Sequence, residues 1–302
     1  MLQRSREVLH AVHAAVPTWS STVSSGRTVD SVFAGMHRSS RVGPGEQWAD
    51  AREYQAGDDV RRIDWAATAR TGSVLVRDTN ADRGLRVTLV VDCTPSMQFG
   101  TTTLSKSELA LGAAAALALS CSRQGDSVAA MLVSASACTW VPPGSGVDHV
   151  NVLLKRLEVS FSASGEGSFV SGIDRTAAFS STGGMVVAIS DFLDPGATSA
   201  LRRLTYSHRT VALVIEDRRE LELPAVGTIE LLDPESGEVF VLDTDDASLR
   251  QRFAERAAAR RAQRKSELIA AGAEVRYLEC GEFWLRDLGR LFTSGFFSGG
   301  SR

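Results

Sequence analysis

Between residues 86 and 217, short apolar runs alternate with longer segments whose apolar residues recur at helical spacing. The apolar runs predict strands at 86–92, 127–135, 138–143, 185–192 and 210–217. The intervening segments predict helices at 106–123, 148–157, 168–179 and 194–206. Strands that alternate with helices are typical of a mainly parallel sheet with right-handed crossovers. We therefore expect an α/β fold with helices on both faces of the sheet.

The pattern changes after residue 217. Residues 227–243 alternate between apolar and polar positions around Pro-Glu-Ser-Gly, which is typical of a β-hairpin. A long helix at 247–271, a strand at 274–279 and a helix at 283–292 are expected to follow. The predicted organisation is an N-terminal helix and linker (1–25), a segment that packs on the core (26–85), an α/β domain that includes the hairpin (86–292), and a flexible tail (293–302).

The segment 26–85 differs from the rest of the chain because it is rich in Arg, Asp and Gly. It predicts a hairpin or irregular strands that cap the following domain. The charge-dense stretch at residues 50–70 has three interpretations. Its charges form a solvated surface, a salt-bridge network with Trp65 packed against the sheet, or a docking surface for a partner.

Composition and charge exclude several classes of function. The net charge of −3 creates no global field that favours nucleic acid or an anionic membrane. The apolar stretch 109–119 is too short to cross a bilayer, and the N-terminus lacks the continuous apolar core of a signal peptide. A cytoplasmic protein is therefore expected. The Arg-rich helix at 249–267 is either a solvated face or a basic patch for an acidic partner.

The candidate chemistry lies where two predicted strands end. The first apolar run stops at Asp92, and Thr94 and Ser96 follow at alternate positions. Asp191 ends a second strand, so it is expected at the same edge of the sheet. Carboxylate and hydroxyl oxygens are hard ligands, which suit Mg²⁺ or Mn²⁺. The alternative interpretation is a strand-end turn whose side chains cap the next helix.

The spacing Asp92-x-Thr94-x-Ser96 resembles the D-x-S/T-x-S motif of von Willebrand factor A domains. The resemblance implies a Rossmann-like fold and a metal-ion-dependent adhesion site, completed by a hydroxyl on a second loop and an Asp on a third. Asp191 matches the third position. Ser168 matches the second, with Ser171 as the alternative. Such a site leaves one metal position open for an acidic group of a partner protein.

A second resemblance involves the block that precedes this domain. Its residues include Gly43-Pro44-Gly45-Glu46, Tyr54-Gln55-Ala56-Gly57-Asp58-Asp59 and Arg61-Arg62-Ile63-Asp64-Trp65. This block is similar to the signature of the bacterial domain-of-unknown-function family 58, whose members carry it just before a von Willebrand A-like domain. The resemblance implies a binding protein that works with a MoxR-type AAA+ ATPase in the assembly or maturation of a client protein.

Three functional hypotheses follow. The first is a metal-dependent interaction protein that is not an enzyme. The second is a Mg²⁺-dependent hydrolase or phosphatase that uses Asp92 and Asp191, although Thr94 stands where a phosphatase loop would carry its second carboxylate. The third is a structural adaptor whose metal site is vestigial.

Overall fold

The computed structural model describes residues 2–21, 51–53, 65, 68–69, 72–77, 85–163, 165, 167–180, 183–232 and 239–293. Its helices are α1 (Leu2–Ser21), α2 (Lys106–Arg123), α3 (Val147–Phe161), α4 (Phe169–Phe179), α5 (Ala197–Thr205), α6 (Ala247–Ala270) and α7 (Trp284–Thr293). Its strands are β1 (Ala51–Glu53), β2 (Leu75–Arg77), β3 (Arg86–Cys93), β4 (Ser127–Ser134), β5 (Cys138–Gly144), β6 (Met185–Ser190), β7 (Arg209–Asp217), β8 (Thr228–Leu232), β9 (Val239–Asp243) and β10 (Glu274–Cys280). Short 3₁₀ helices span Pro95–Gln98 and Arg218–Glu220.

The main sheet of the described residues has six strands in the order β10-β7-β6-β3-β4-β5. All neighbouring pairs are parallel except β4 and β5, so the antiparallel strand lies at one edge. The order places β3 beside β6, although two strands and three helices separate them along the chain. The carboxyl ends of β3, β6 and β7 therefore lie side by side at one edge of the sheet.

Helices cover both faces of this sheet because side chains alternate along each strand. On β3, Leu89 and Val91 pack in a core with α1, α2, α3 and α7. Val90, between them, packs in a second core with α4, α5 and α6. The predicted α/β class, with a mainly parallel sheet between two helical layers, is confirmed.

Helix α2 lies at the centre of the first layer because it is apolar nearly all round. It begins with a capping box in which Ser105 and Glu108 each accept a hydrogen bond from the other's backbone N–H. The N-terminal helix α1 packs against it through Val8 and other buried valines. A Cβ on Gly112 would lie 3.1 Å from Val8 Cγ1 and 2.8 Å from the Trp284 ring. Gly112 thus lets α1 and α7 approach α2 closely.

The other predicted elements mostly agree with the structure. The hairpin 227–243 is confirmed as the antiparallel pair β8–β9. The start of α5 at residue 194 was wrong, since Gly196 has φ +90° and the helix begins after it. Most of the segment 26–85 lies outside the described residues, but Trp65 is 68% exposed, so its predicted packing against the sheet is wrong. A Trp side chain is seldom fully buried in a folded protein, so its burial does not follow from its residue type.

Within the described parts of the chain, no helix combines the length and apolarity needed to cross a bilayer.

The close contact between α4 and β4 yields a testable prediction. A Cβ on Gly172 would lie 2.0 Å from Val133 Cγ2. We expect Gly172→Ala to lower the free energy of unfolding by about 2 kcal/mol through overpacking. In a Val133→Ala background the nearest remaining atom is the Cβ of residue 133 at 3.2 Å, so the same change should cost much less, and helix propensity favours it by up to about 1 kcal/mol. Urea unfolding of the four proteins tests this, and an equal loss in both backgrounds would contradict it.

Candidate functional site

The loop after β3 gathers the three oxygens predicted for the site. Asp92 is 2% exposed, and its Oδ1 accepts hydrogen bonds from the backbone N–H of Thr94 at 3.0 Å and from Thr94 Oγ1 at 2.6 Å. The Thr94 and Ser96 hydroxyl oxygens lie 3.2 Å apart. Ser96 is half-buried, so this cluster opens to solvent on its side. The structure therefore brings Asp92, Thr94 and Ser96 together.

The end of β6 contributes the second wall of the site. Ser190 Oγ donates to Asp92 Oδ2 at 2.6 Å and accepts from the backbone N–H of Phe192 at 2.9 Å. Phe192 is buried and has φ 55°, a conformation that non-glycine residues seldom adopt. Asp191 Oδ1 accepts from the backbone N–H of Leu193 at 3.1 Å. The side chains of β6 thus fix the turn that follows it and tie this turn to Asp92.

Two buried carboxylates close together make this edge of the sheet electrostatically costly. Burial, and then the charge of Asp191, raise the pKa of Asp92 to about 6, although hydrogen bonds from Ser190 and Thr94 act to lower it. Among the described residues, no basic side chain forms an ion pair with Asp92. A positive charge at this position would therefore stabilise its ionised form.

Asp191 differs from Asp92 because it has a cationic partner. Lys106, the first residue of α2, is 1% exposed and places Nζ 2.8 Å from Asp191 Oδ2. The same ammonium lies 2.6 Å from Glu220 Oε1. Burial by itself lowers the pKa of Lys106, but the charges of Asp191 and Glu220 outweigh it and hold the pKa above its ordinary value.

The predicted second-loop hydroxyl has a different partner. Ser168 Oγ donates to Asp194 Oδ2 at 2.9 Å, and Asp194 Oδ2 also accepts from the backbone N–H of Val170 at 3.3 Å. Asp194 therefore caps the start of α4 from the turn after β6. The alternative, Ser171, donates to the carbonyl of Ser168 at 2.8 Å. Ligation of a metal by Ser168 stays a prediction.

The donor set at the Asp92 loop fits a small, hard divalent cation. One carboxylate and two hydroxyls converge within hydrogen-bonding distance, and oxygen ligands are those that Mg²⁺ and Mn²⁺ prefer. Across the described ranges, no group of three or more His, Cys, Asp or Glu side chains is placed to hold a metal ion. A metal here would consequently depend on the Thr94 and Ser96 hydroxyls.

A family model described as "Protein of unknown function DUF58" matches residues 50–263. The chain belongs to the DUF58 family. The family predicted from the sequence is thus confirmed.

The relatives of this DUF58 protein include mycobacterial proteins. An uncharacterized protein of Mycobacterium tuberculosis is 38% identical over 284 residues, which cover 93% of this chain and 89% of the relative. An uncharacterized protein of Mycobacterium avium is 33% identical over 159 residues, which cover 52% of this chain and 94% of the relative.

Two solved structures illustrate the fold similarity. The conserved hypothetical protein BatB from Bacteroides thetaiotaomicron has a TM-score of 0.46 at 16% identity, and the match covers 70% of this chain and 99% of that one. The SpRpn10 VWA domain has a TM-score of 0.40 at 11% identity, and the match covers 72% and 99%. At these scores the similarity assigns no residue role to the DUF58 protein.

Sequence reasoning missed several groups that shape the site of this DUF58 protein. Asp217 is fully buried at the end of β7 and accepts hydrogen bonds from the Thr101 hydroxyl at 2.6 Å and the Thr101 backbone N–H at 2.9 Å. The rule that found Asp92 and Asp191 also applies to Asp217, because it too ends an apolar strand. Lys106 had a signal as well, since a lysine that starts a fully apolar helix needs a buried anion.

The Arg-rich helix of the DUF58 protein is partly explained by internal pairing. On α6, Arg261 Nε lies 2.8 Å from Glu216 Oε2, and Arg264 pairs with the same carboxylate. Glu216 is 4% exposed, so these arginines neutralise a buried charge on β7. Arg256 and Arg260 are exposed on the same helix. The helix is therefore partly structural and partly a solvated face.

The raised pKa of Asp92 predicts how stability depends on pH. Its carboxyl changes from a pKa of 3.8 in the unfolded chain to about 6 when folded. The folded state thus disfavours the ionised form by about 3 kcal/mol above pH 6, and this cost shrinks as the pH falls towards 3.8. Without divalent ions, the stability gained by Asp92→Asn should be about 2 kcal/mol larger at pH 7.5 than at pH 4.5.

Urea unfolding in EDTA at both pH values measures this difference. The comparison with Asp92→Asn subtracts the titration of the groups that do not interact with Asp92. A stability difference between Asp92→Asn and wild type that is the same at both pH values, or larger at pH 4.5, would contradict the burial of an unpaired charge at Asp92.

Proposed function

We propose that this DUF58 protein is a protein-interaction module that binds an acidic group of a partner through a divalent metal ion. Asp92, Thr94 and Ser96 would hold Mg²⁺ or Mn²⁺, with Asp191 contributing through water and Ser168 from the second loop. The bound ion would supply a Lewis-acidic position for a carboxylate of the partner. The chain itself positions these oxygens and leaves the Ser96 side open.

The observation that carries this proposal is the charge state of Asp92. It is a buried carboxylate that accepts hydrogen bonds from three donors among the described residues, all of them neutral. Its pKa of about 6 leaves it ionised at neutral pH in an environment that disfavours the charge. A divalent cation beside two hydroxyl oxygens would offset that cost, whereas a turn that merely caps the next helix does not need a buried carboxylate of this kind.

The surroundings of the site also support an interface. Phe99 is 42% exposed and Leu193 is 54% exposed. Phe99 lies over the Lys106 ammonium at 5.6 Å, and the backbone of Leu193 is bonded to Asp191, so both apolar side chains flank the site. Aromatic and other apolar side chains form the core of many protein interfaces. The family resemblance implies a MoxR-type AAA+ ATPase, or its client, as the partner in the cytoplasm.

The alternative function is a structural adaptor that binds without a metal. The ion pair of Lys106 with Asp191 favours it, because this pair neutralises the third-loop carboxylate internally. The same pair disfavours a phosphatase, in which Asp191 would have to hold a metal and a substrate. We propose on this ground that the protein is not an enzyme.

The test is direct binding to the purified MoxR-type ATPase of the same genome. Wild type and Asp92→Ala are compared in Mg²⁺ and in EDTA, with Asp148→Ala on the exposed start of α3 as the matched control. We expect EDTA and Asp92→Ala each to weaken binding at least tenfold, because both remove the ion that accepts the partner's carboxylate, and Asp148→Ala to bind like wild type. Equal recovery in all conditions would remove the metal from the function.

A further inference from the structure

The buried ammonium of Lys106 contacts Asp191, the carboxylate that the resemblance assigns to the third loop of the metal site. Its Nζ lies 2.8 Å from Asp191 Oδ2, while the backbone N–H of Leu193 engages Asp191 Oδ1. Both oxygens of Asp191 are therefore engaged by positive or hydrogen-bonding groups of the chain itself. Asp92 has no such cation among the described residues.

We infer that Lys106 is an internal competitor of the metal and sets the affinity of the site. This inference rests on the proposed metal-dependent function and deepens it. An ammonium and a divalent cation on the same carboxylate oxygen would repel each other strongly in a buried setting. Direct ligation through Asp191 Oδ2 consequently requires that Lys106 withdraw, and until then Asp191 contributes to the site through water.

The structure provides a place for the displaced ammonium. Glu220 Oε1 lies 2.6 Å from Nζ, and the Phe99 ring lies 5.6 Å from it. Glu220 is fixed independently of Lys106, because its Oε2 accepts from the backbone N–H of Asp217 at 3.1 Å in the capping box of the 3₁₀ helix Arg218–Glu220. Lys106 can thus lose Asp191 and keep one carboxylate. Engagement of Asp191 by a metal would strengthen the link between α2 and this 3₁₀ helix.

The probe for this inference is Mn²⁺ alone, titrated into the protein of residues 1–302 and followed by electron paramagnetic resonance of the free ion. We expect Lys106→Met to bind Mn²⁺ at least tenfold more tightly than wild type, because Asp191 becomes available as a ligand. Lys265→Met, which removes an exposed positive charge on α6, should leave the affinity unchanged. An unchanged or weaker affinity in folded Lys106→Met would overturn the inference.

Two further variants separate competition at Asp191 from a general charge effect. Adding Asp191→Asn to Lys106→Met should abolish the gain, and a gain that persists would overturn the inference. Glu220→Gln keeps the lysine but removes its second carboxylate. It should weaken Mn²⁺ binding severalfold, because the displaced ammonium then has no anion. If Lys106→Met fails to fold, the test rests on Glu220→Gln. Unchanged or tighter Mn²⁺ binding by Glu220→Gln would then overturn the inference.

The results also distinguish this inference from the proposed function. If wild type does not bind Mn²⁺ but Lys106→Met does, competition by Lys106 is supported while metal-dependent capture by the natural chain fails. If wild type binds its partner through Mg²⁺ and Lys106→Met has an unchanged Mn²⁺ affinity, the function stands and the competition fails.

Discussion

The constraint on which the site depends is the accumulation of buried carboxylates at the carboxyl edge of the sheet. The strand order brings Asp92, Asp191 and Asp217 to the same edge, each nearly inaccessible to water. Like charges in such surroundings oppose folding unless each is compensated. The structure compensates them in different ways, and those differences indicate what the edge can do.

Asp217 is satisfied by the hydroxyl and backbone of Thr101, and Asp191 by the Lys106 ammonium. Within the part of the chain that the structure describes, Asp92 receives hydrogen bonds from neutral donors alone. In that part, this edge therefore combines the Lys106 ammonium with a carboxylate, Asp92, that has no cationic partner. Helix α2 links the two halves of this arrangement, because its apolar body anchors the first layer of the fold while its first residue reaches the ion pair. Lys106 thus belongs both to the tightly packed helix α2 and to the buried ion pair with Asp191.

Much of the architecture could be predicted from the sequence because its signals are local. Apolar runs of strand length alternate with helical spacing, so the α/β class and most element positions follow directly. The start of α5 could not be found this way, since Asp194-Pro195 is a common helix opening and only the φ of Gly196 shows that the chain turns first. The length of α1 could not be predicted from the sequence either, because packing of Val12 and Val16 in the core with α2 stabilises this helix.

The site was predictable in part for a similar reason. The strand-end rule located Asp92 and Asp191, and the alternate hydroxyls located Thr94 and Ser96. The partners of these groups were not predictable, because they depend on contacts between elements distant in sequence. Ser190 on β6 donates a hydrogen bond to Asp92 on the neighbouring strand β3. Lys106, at the start of α2, forms an ion pair with Asp191, which follows β6. Spacing along the chain carries no information about such contacts.

The most direct test of the cation site is a crystal structure grown with Mn²⁺ and measured at the manganese absorption edge. We expect an anomalous peak within coordination distance of the Thr94 and Ser96 hydroxyl oxygens, with the Lys106 ammonium still beside Asp191 or shifted towards Glu220. A well-ordered site that shows no peak at saturating Mn²⁺ would contradict the claim that Asp92 and its loop form a cation site.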